Sequence, residues 1–556
     1  MPAPKYEVRA VWIATAAGLD WPRSRDRNEQ QASLRSMVRR LKAAHFNTIF
    51  FQARARGDAY YRSSFEPWAE NLTGTLGKDP GWDPLQFLLN EAHALGMEVH
   101  AWFNVYKIRG PGNNIPSTTP PHPARAFPQW TVPAEGELWF DPGIPDVRDY
   151  TLKVALDLIA GYDIDGIQFD FIRYPGRDFP DDKSYRRYGN GIDRAEWRRA
   201  NIDAFVTALY DSATARKPML KVGSAPLGVF SAGNGKNGWG AFHSYYQDAP
   251  GWLRKKKHDY LVPQIYWDIG ESKGDPDFIA LAQSWQEMAA GRHVYAGIAA
   301  YKSAVLEQIP EQIDAAREKS TVGQAYFRYE NISTMDMFDE RYATPALIPP
   351  MPWKGGPTPT PPSTVAVTES HPNIFQVEWT SPPDEHRTHL YAIYRWHVPE
   401  IPTDDVRALV ATVPAPVRSY VDTLSGPHGI RQYYAVTAID RANNESRPSI
   451  PAPVVIREMV DLHYRLSAPT RLATLMVDDW AGSPLIAYRL AERSDVSLDI
   501  LSLADPRGFA RHMVDSIQQA GTYIVSAGSA ALPPGRYAVR LRFSGATLEQ
   551  HIEVKR

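Results

Sequence analysis

The 556-residue chain contains no cysteine, and this absence excludes several kinds of site. A disulfide framework, a thiol nucleophile and a zinc–thiolate centre all require that residue. The histidines show no ligand spacing, and neither an HExxH motif nor an EF-hand pattern occurs. The sequence therefore predicts a protein that needs no metal and no other cofactor.

The chain also lacks long apolar runs and an excess of either charge. No run of about 18 apolar residues is present to span a bilayer, and the amino terminus MPAPKYEVRAVW has no apolar signal-peptide segment. The formal net charge of -2 argues against a nucleic-acid partner, which would require a basic face. We expect a soluble chain without a transmembrane segment, from which an export signal has been trimmed; its oligomeric state is open.

Strand-like and helix-like segments alternate regularly up to residue 346. Apolar residues recur every three or four positions in segments such as 31–45, 83–96 and 147–162, as in amphipathic helices. Eight strand–helix units predict a (β/α)8 TIM barrel of the α/β class. A doubly wound sheet is disfavoured because no glycine-rich phosphate loop follows the first strand. The strand-like segments are 7–15, 47–54, 97–105, 166–174, 220–228, 260–268, 293–301 and 322–330.

Composition and patterning change after the barrel. Proline is concentrated around residues 347–361, which we interpret as a stiff extended linker. Beyond it only short strands alternate with turn residues, which predicts two small all-β sandwiches. The predicted division is a barrel over 1–346, this linker, a first sandwich over 362–457 and a second over 458–556.

Polar residues on the barrel strands are expected to gather at one mouth. In DGIQFDFIRYP, residues 165–175, the alternation turns Ile167 and Phe169 towards the helices and Asp170 towards the interior. Active sites of such barrels lie at the carboxyl ends of the strands. By the same parity the inward polar residues are Gln52, Arg54, His100, Asn104, Gln168, Asp170, Gln264, Tyr266, Asp268, Gln324, Tyr326, Arg328 and Glu330.

Three of these residues, Asp170, Asp268 and Glu330, are carboxylates at strand ends. Glycoside hydrolysis uses such groups, because one carboxyl group protonates the leaving oxygen while another attacks the sugar or activates water. We expect Arg173 and Arg54 to hold Asp170 ionised, as a nucleophile or base. The alternative is that Asp170 only pairs with one of these arginines to anchor a loop.

Residues 106–146 show no clear secondary structure and are rich in proline. A loop of that length inside a compact domain usually has a function. We therefore expect this segment to form one wall or a lid of the site.

Six stretches match a known family in the same order: EVRAVWIAT, QARARGDAYYRSSFEPW, GWDPLQFLLNEAHALGMEVHAWFN, LWFDPGIPDVRDY, DGIQFDFIRYP and PQIYWDIG. They resemble a bacterial glycosyl hydrolase-like family, first described as a domain of unknown function and distantly related to glycoside hydrolase family 10. The resemblance covers residues 6–346 and implies a TIM-barrel glycosidase of the bacterial envelope, secreted, periplasmic or at the cell surface. Some members of that family cleave peptide-free peptidoglycan strands.

The other two segments resemble smaller modules. Trp379, YAIYRW and YYAVTAIDRANNES make residues 362–457 similar to a fibronectin type III domain. AGTYIVSAG and LPPGRYAVRLR make residues 458–556 similar to immunoglobulin-like modules of secreted bacterial proteins.

The family resemblance carries over to individual positions. We predict Asp170 and Asp268 as the catalytic pair, although the family pattern does not require an acid at Asp268 or at Glu330. Asp58, which lies in a matching motif, and Glu330 are the alternatives to Asp268 and otherwise substrate contacts. Trp102 and Trp267 are expected to stack against sugar faces. The residues in matching motifs are Arg54, Asp58, Trp102, Asn104, Asp141, Asp170, Arg173, Tyr174, Gln264, Tyr266 and Trp267.

The sequence leaves three functions open. The first is an endo-acting glycosidase whose partner is a polysaccharide or glycan strand. The second is a non-catalytic carbohydrate-binding or scaffold protein built on the same barrel. The third, a polysaccharide deacetylase or esterase, is disfavoured because the usual metal ligands and a GxSxG elbow are both missing.

Overall fold

Eight parallel strands form a closed barrel in the computed structural model of the protein. Each strand pairs with the next one along the chain, and the eighth pairs with the first. The seventh strand is split at Tyr295, so that its first half pairs with the sixth strand and its second half with the eighth. The predicted TIM barrel is confirmed. Its strands are Val8–Ile13, Thr48–Arg54, Glu98–Asn104, Gly166–Asp170, Lys221–Ser224, Tyr260–Leu261, His293–Val294 with Ala296–Ile298, and Gly323–Tyr326.

The structure describes residues 3–110, 115–231, 240–270, 276–371, 373–424, 431–455, 473–480, 483–490, 493–504, 510–519, 521–526, 532–543 and 546–554. Within these ranges no helix combines the length and the apolar character needed to cross a membrane. The same ranges contain no group of three or more His, Asp or Glu residues arranged to hold a metal ion.

Helices cover the outside of the barrel and connect its strands. The first of them begins after Asp26, whose carboxylate accepts hydrogen bonds from two backbone N–H groups of the first turn. Asp193 caps a further helix in the same way, and Asp83 and Asp277 each cap another helix by accepting one such bond. The helices are Arg27–Ala43, Glu70–Thr73, Pro84–His93, Pro123–Ala126, Pro145–Gly161, Asp182–Tyr188, Arg194–Arg216, Ala241–Ser244, Ala249–Arg254, Phe278–Glu287, Ser303–Leu306 and Ile309–Glu318.

The strands separate two buried apolar layers. An inner layer, with Trp12, Phe50 and Tyr260 among its members, fills the barrel interior. An outer layer, which includes Ile167 and Phe169, packs between the strands and the helices. The parity predicted for the fourth strand is therefore correct.

The eighth strand reverses the predicted parity. Ala325 belongs to the inner layer, whereas Tyr326 packs in the outer layer, with its ring centre 4.9 Å from that of Phe338. Gln324, two residues before Tyr326, shares its outer face. A shift of one residue turns every side chain of a strand to the other face. The assignment of Gln324 and Tyr326 to the mouth was wrong, and Arg328 and Glu330 lie beyond the end of the strand.

Residues 347–354, which we call the basal plug, close the amino-terminal end of the barrel. Ile348 and Met351 pack in the inner layer, and Met351 is fully buried. The backbone of Leu347 pairs with Tyr6, just before the first strand. The indole N–H of Trp353 donates to Asp259 over 2.8 Å. This part of the proline-rich segment is therefore packed against the barrel and is not an extended spacer.

Antiparallel sheets form the rest of the described chain. Each of the two groups consists of a three-stranded and a four-stranded sheet, which confirms the all-β prediction and is consistent with the fibronectin type III resemblance. The first group contains Val365–His371, Ile374–Trp379, Thr388–Trp396, Leu409–Pro414, Ser419–Thr423, Arg431–Asp440 and Ala452–Val455. The second contains Ala473–Trp480, Ser483–Leu490, Ser494–Ser502, Ala510–Gln518, Gly521–Ser526, Gly535–Phe543 and Ala546–Val554.

The first sandwich contacts the base of the barrel. Glu445 accepts a hydrogen bond from the hydroxyl of Tyr6 over 2.6 Å and pairs with Lys5 at the same distance. Arg441 pairs with Asp163 over 2.7 Å, ahead of the fourth strand. These contacts place the sandwich at the end of the barrel opposite the carboxyl ends of the strands.

Candidate active site

Asp170 ends the fourth strand and faces the barrel interior at the carboxyl end of the strands. In the ladder it lies opposite Asn104 of the third strand, and 9% of its surface is exposed. The side-chain amide of Gln264 donates to its Oδ1 over 3.3 Å, and the backbone N–H of Phe171 donates to the same oxygen over 2.7 Å. These bonds fix the orientation of the carboxyl group through one of its two oxygens.

The residue after Asp170 has an unusual backbone conformation. Phe171 has a φ of 51°, in the left-handed region that bulky residues rarely adopt. A residue held there costs about 1–3 kcal/mol, and such residues cluster at functional sites. The strained conformation supplies the N–H that binds the Asp170 carboxyl.

Burial raises the pKa of Asp170 to about 6. The positive charges of Arg173 and Lys107 favour the ionised carboxylate and act in the opposite direction, but desolvation prevails. The carboxyl group therefore keeps its proton to a higher pH than an ordinary aspartate. Arg173 favours the ionised form, as expected, but its effect on the pKa is smaller than that of burial.

Aromatic rings hold two cations near Asp170. The Arg173 guanidinium lies 5.0 Å from the ring centre of Tyr245, 5.3 Å from that of Phe171 and 5.6 Å from that of Trp139. The Lys107 ammonium lies 4.6 Å from the Phe171 ring centre. Cation–π contacts of this kind keep a charged group in a partly apolar site.

Arg54 does not pair with Asp170, contrary to the prediction. Its guanidinium is fully buried and forms a two-pronged ion pair with Glu66, with bonds of 2.7 and 2.6 Å. It also donates to the backbone carbonyl of Asn104. Arg54 therefore joins the loop after the second strand to the end of the third strand.

Replacing this arginine is expected to destabilise the barrel. The change Arg54→Met leaves Glu66 buried without its partner, a loss that typically costs about 3–5 kcal/mol of unfolding free energy. Urea unfolding measures it, and the double variant with Glu66→Leu should recover most of the loss. A loss below about 1 kcal/mol in the single variant would contradict the structural role.

Trp102 and Asn104 form an ordered pair below the mouth. The indole N–H of Trp102 donates to Oδ1 of Asn104 over 2.8 Å, and the Asn104 amide donates to the carbonyl of Ala55 over 2.8 Å. Trp102 belongs to the inner layer, with 4% of its surface exposed and its ring centre 6.2 Å from that of Phe327. It supports the floor of the mouth, and stacking against a sugar stays a prediction.

The aromatic residues after the sixth strand are divided between the mouth and the helices. The Tyr266 ring centre lies 5.9 Å from that of Phe327 and 6.0 Å from that of Tyr301. Burial raises the pKa of Tyr266 well above its ordinary value, and the charge of Asp170 adds to the effect. Trp267 also packs against the outer layer, which agrees with its odd position in the sixth-strand alternation, and its stacking against a sugar stays a prediction.

The three candidates for a second carboxylate lie in different places. The Glu330 side chain is 44% exposed and pairs with Arg23 over 3.2 Å. Asp268 is half-buried in the loop after the sixth strand. Asp58 is half-buried after the second strand, where burial raises its pKa. In the described part of the chain none of them is a hydrogen-bond partner of Asp170, so the catalytic pair stays a prediction.

Asp141 and Tyr174 are ordered by contacts of their own. Asp141 accepts hydrogen bonds from the Ser184 hydroxyl over 2.5 Å and from the Gly143 N–H over 2.9 Å, and burial raises its pKa to about 6. Tyr174 is fully buried, and its hydroxyl accepts a bond from the Asn201 amide over 3.3 Å. Their contact with substrate stays a prediction.

Sequence reasoning missed Lys107, Tyr301 and Phe327. Lys107 follows Asn104 by three positions, the same offset as Arg173 from Asp170, and this signal could have found it. It belongs to a small sheet within the segment expected to form a wall. Phe327 was hidden by the parity error in the eighth strand. The strands of the small sheet are Lys107–Arg109, Thr131–Ala134 and Glu137–Phe140.

Comparison with known proteins gives consistent matches. The family model described as glycosyl hydrolase-like 10 matches residues 7–314. Glycosyl hydrolase YngK of Bacillus subtilis (strain 168) is 33% identical over 481 residues, which cover 80% of this chain and 92% of that protein. Glycosyl hydrolase DigH of Escherichia coli (strain K12) is 34% identical over 325 residues, 53% of this chain and 73% of that protein.

Among solved structures, the PgaB (BpsB) glycoside hydrolase domain from Bordetella bronchiseptica covers 60% of this chain and 98% of its own, with 14% identity and a TM-score of 0.43. The closed barrel, the buried carboxyl group at its mouth and the sequence relatives define a carbohydrate-active protein of the TIM-barrel type. The chain belongs to the glycosyl hydrolase-like 10 family.

Proposed function

We propose that the protein is a glycoside hydrolase in which Asp170 protonates the leaving glycosidic oxygen. The observation that carries the proposal is a buried carboxyl group at the barrel mouth whose pKa is raised to about 6. A general acid must hold a proton near the working pH, and a raised pKa provides this. Lys107 and Arg173 stabilise the carboxylate that remains after the proton has left.

The second catalytic group is proposed to be Asp268, acting as nucleophile or base. It follows the sixth strand, and the polar groups of such barrels act from the carboxyl ends of the strands. Asp58, beyond the second strand, is the alternative. Glu330 is the weakest candidate because it is exposed and bound to Arg23. Asparagine variants at Asp268 and Asp58, tested for recovery of activity with added azide, distinguish the two.

The proposed substrate is a polysaccharide of the bacterial envelope, and peptide-free peptidoglycan strands are the first to test. Support comes from two relatives that carry the name glycosyl hydrolase and align with 80% and 53% of this chain. We propose a secreted, periplasmic or cell-surface location to match such a substrate.

Release of new reducing ends tests this function. Peptide-free peptidoglycan strands, chitin and plant polysaccharides are incubated in parallel with the full chain and with its Asp170→Asn variant. A glycosidase releases reducing ends from at least one of them, and the variant does not. A chain that binds one of these glycans but releases no ends from any would instead be a carbohydrate-binding protein.

The pH dependence of kcat/KM is expected to reflect the titration of Asp170. The protonated form is the active acid, so kcat/KM is expected to fall about tenfold for each pH unit above about 6. Asp141 also has a pKa near 6, so its asparagine variant is the control and should keep this alkaline limb. If the alkaline limb disappeared in Asp141→Asn, the titrating proton would belong to Asp141, and its assignment to Asp170 would be wrong.

A further inference from the structure

An ion pair of the small sheet lies close to Asp170. Glu137 binds the Lys107 ammonium over 2.5 Å, and the two side chains are only 17% and 18% exposed. Arg56 is a second partner of Glu137, at 3.4 Å. The pair is therefore largely shielded from water, which strengthens the attraction between its charges.

The Lys107 ammonium also acts on Asp170. It lies 4.6 Å from the ring centre of Phe171, whose backbone N–H binds the Asp170 carboxyl. Its positive charge is one of the two that favour the ionised form of Asp170. Trp139, opposite Lys107 in the small sheet, packs against Phe171 with the ring centres 5.7 Å apart. The small sheet thus places Lys107 between two carboxyl groups, those of Glu137 and Asp170.

The two carboxyl groups compete for this one ammonium. Among the ion pairs of the described residues, Lys107 is bound to Glu137, and Asp170 takes part in none. Asp170 accepts its hydrogen bonds from neutral donors, the Gln264 amide and the Phe171 N–H. An ammonium in direct contact with a carboxylate favours the ionised form, so an ion pair with Lys107 would draw the proton from Asp170.

The other groups around Asp170 do not enter this competition. Arg173 favours the ionised carboxylate and is surrounded by three aromatic rings. Glu135, in the turn before Glu137, acts on Arg173. Tyr266 is neutral, because burial raises its pKa well above its ordinary value. The ion pair of the small sheet can therefore be varied while these groups stay in place.

We propose that Glu137 is a positioning residue that keeps the Lys107 ammonium from pairing with Asp170 and so leaves the proton on the acid. The inference rests on the proposed role of Asp170 in glycan cleavage, and it adds a residue that acts through Lys107. Burial favours the proton on Asp170, and Glu137 limits how much of that effect Lys107 cancels. The small sheet then acts on the chemistry of the site as well as on its shape.

The pH dependence of kcat/KM tests this role, because the two members of the pair are expected to shift its alkaline limb in opposite directions. Glu137→Gln frees Lys107 to pair with Asp170, so the limb should move to lower pH by at least about half a unit. Lys107→Met removes the positive charge, so the limb should move to higher pH by at least about half a unit. The ratio of kcat/KM at pH 8 to that at pH 5 should fall about threefold or more in the first variant and rise about threefold or more in the second.

The double variant Lys107→Met/Glu137→Gln shows whether Glu137 acts through the lysine. Its alkaline limb should lie where that of Lys107→Met lies, because no ammonium remains for the two carboxyl groups to share. Lys107→Arg keeps the charge and should stay close to the parent chain. Lys78→Met removes an exposed lysine elsewhere on the barrel and should leave the limb unchanged.

Two results overturn the role of Glu137. One is a limb that moves in the same direction, or not at all, in the two single variants. The other is a shift by Glu137→Gln that is as large in the Lys107→Met background as in the parent chain.

Infrared titration separates this inference from the proposed function, because it needs no substrate. The carbonyl band of a protonated carboxyl group that disappears when Asp170→Asn is introduced into each chain reports the proton of Asp170. Opposite shifts of its midpoint in Glu137→Gln and Lys107→Met, without cleavage of any glycan, support the role of Glu137 and overturn the hydrolase. Equal midpoints in all chains overturn the role of Glu137, and cleavage of a glycan by the same chains would then still support the hydrolase.

Discussion

Asp170→Asn is expected to lower turnover on a cleaved glycan by at least about a hundredfold, the lower end of what a positioned acid contributes. Asparagine keeps the size of the side chain and the oxygen that accepts from Gln264 and Phe171, but it has no proton to give. Reducing-end assays of the full-length parent protein and its variant at pH 5.5 measure the effect.

The same variant should be at least as stable as the parent chain. The folded-state pKa of Asp170 is raised, so the folded protein binds the proton more tightly than the unfolded chain does. Stability associated with this group is therefore lost as pH rises through about 6, and asparagine removes that loss. Circular dichroism melting at pH 7.5 checks it. Loss of fold together with activity would mean that Asp170 serves the structure.

A chain that ends at residue 346 is expected to be far less stable than one that ends at residue 356. The shorter chain loses the basal plug, including Ile348, Met351 and the packed part of Trp353. Burial of these side chains contributes about 4–8 kcal/mol as an upper estimate. Denaturant unfolding of the two chains measures the difference.

The comparison is matched because both chains lack the sandwiches. Both also expose the surface at the barrel base that the first sandwich contacts in the full chain. We propose on this ground that the barrel domain ends near residue 355 and that the linker begins there. Equal unfolding free energies for the two chains would contradict this boundary and support the one predicted from the sequence, at residue 346.

The barrel could be predicted from the sequence because its apolar alternation is regular. In the fourth strand the apolar residues Ile167 and Phe169 alternate with Gln168 and Asp170. Only one of the two possible orientations buries the apolar residues against the helices. In the eighth strand both faces are buried, as is usual for parallel strands, and a polar residue no longer marks the interior. Gln324 is satisfied on the outer face by Glu7 and Tyr342.

The chemistry of the site depended on features that sequence spacing does not contain. Arg54 was predicted to pair with Asp170 because both were expected at the mouth. The loop after the second strand instead places Glu66 against Arg54, and these two residues form the ion pair. The sign of the pKa shift of Asp170 depends on burial against the charges of Lys107 and Arg173. Depth of burial follows from packing, so the sequence predicted the charge effect of Arg173 but not the opposing and larger effect of desolvation.

The central claim, that Asp170 donates the proton to the leaving oxygen, is tested most directly by varying the leaving group. A dinitrophenyl glycoside of the cleaved sugar needs no protonation, whereas the natural glycan does. Asp170→Asn is predicted to lose at least about a hundredfold in kcat/KM on the natural glycan and less than about tenfold on the dinitrophenyl glycoside. Equal losses on the two substrates would contradict the assignment of Asp170 as the proton donor.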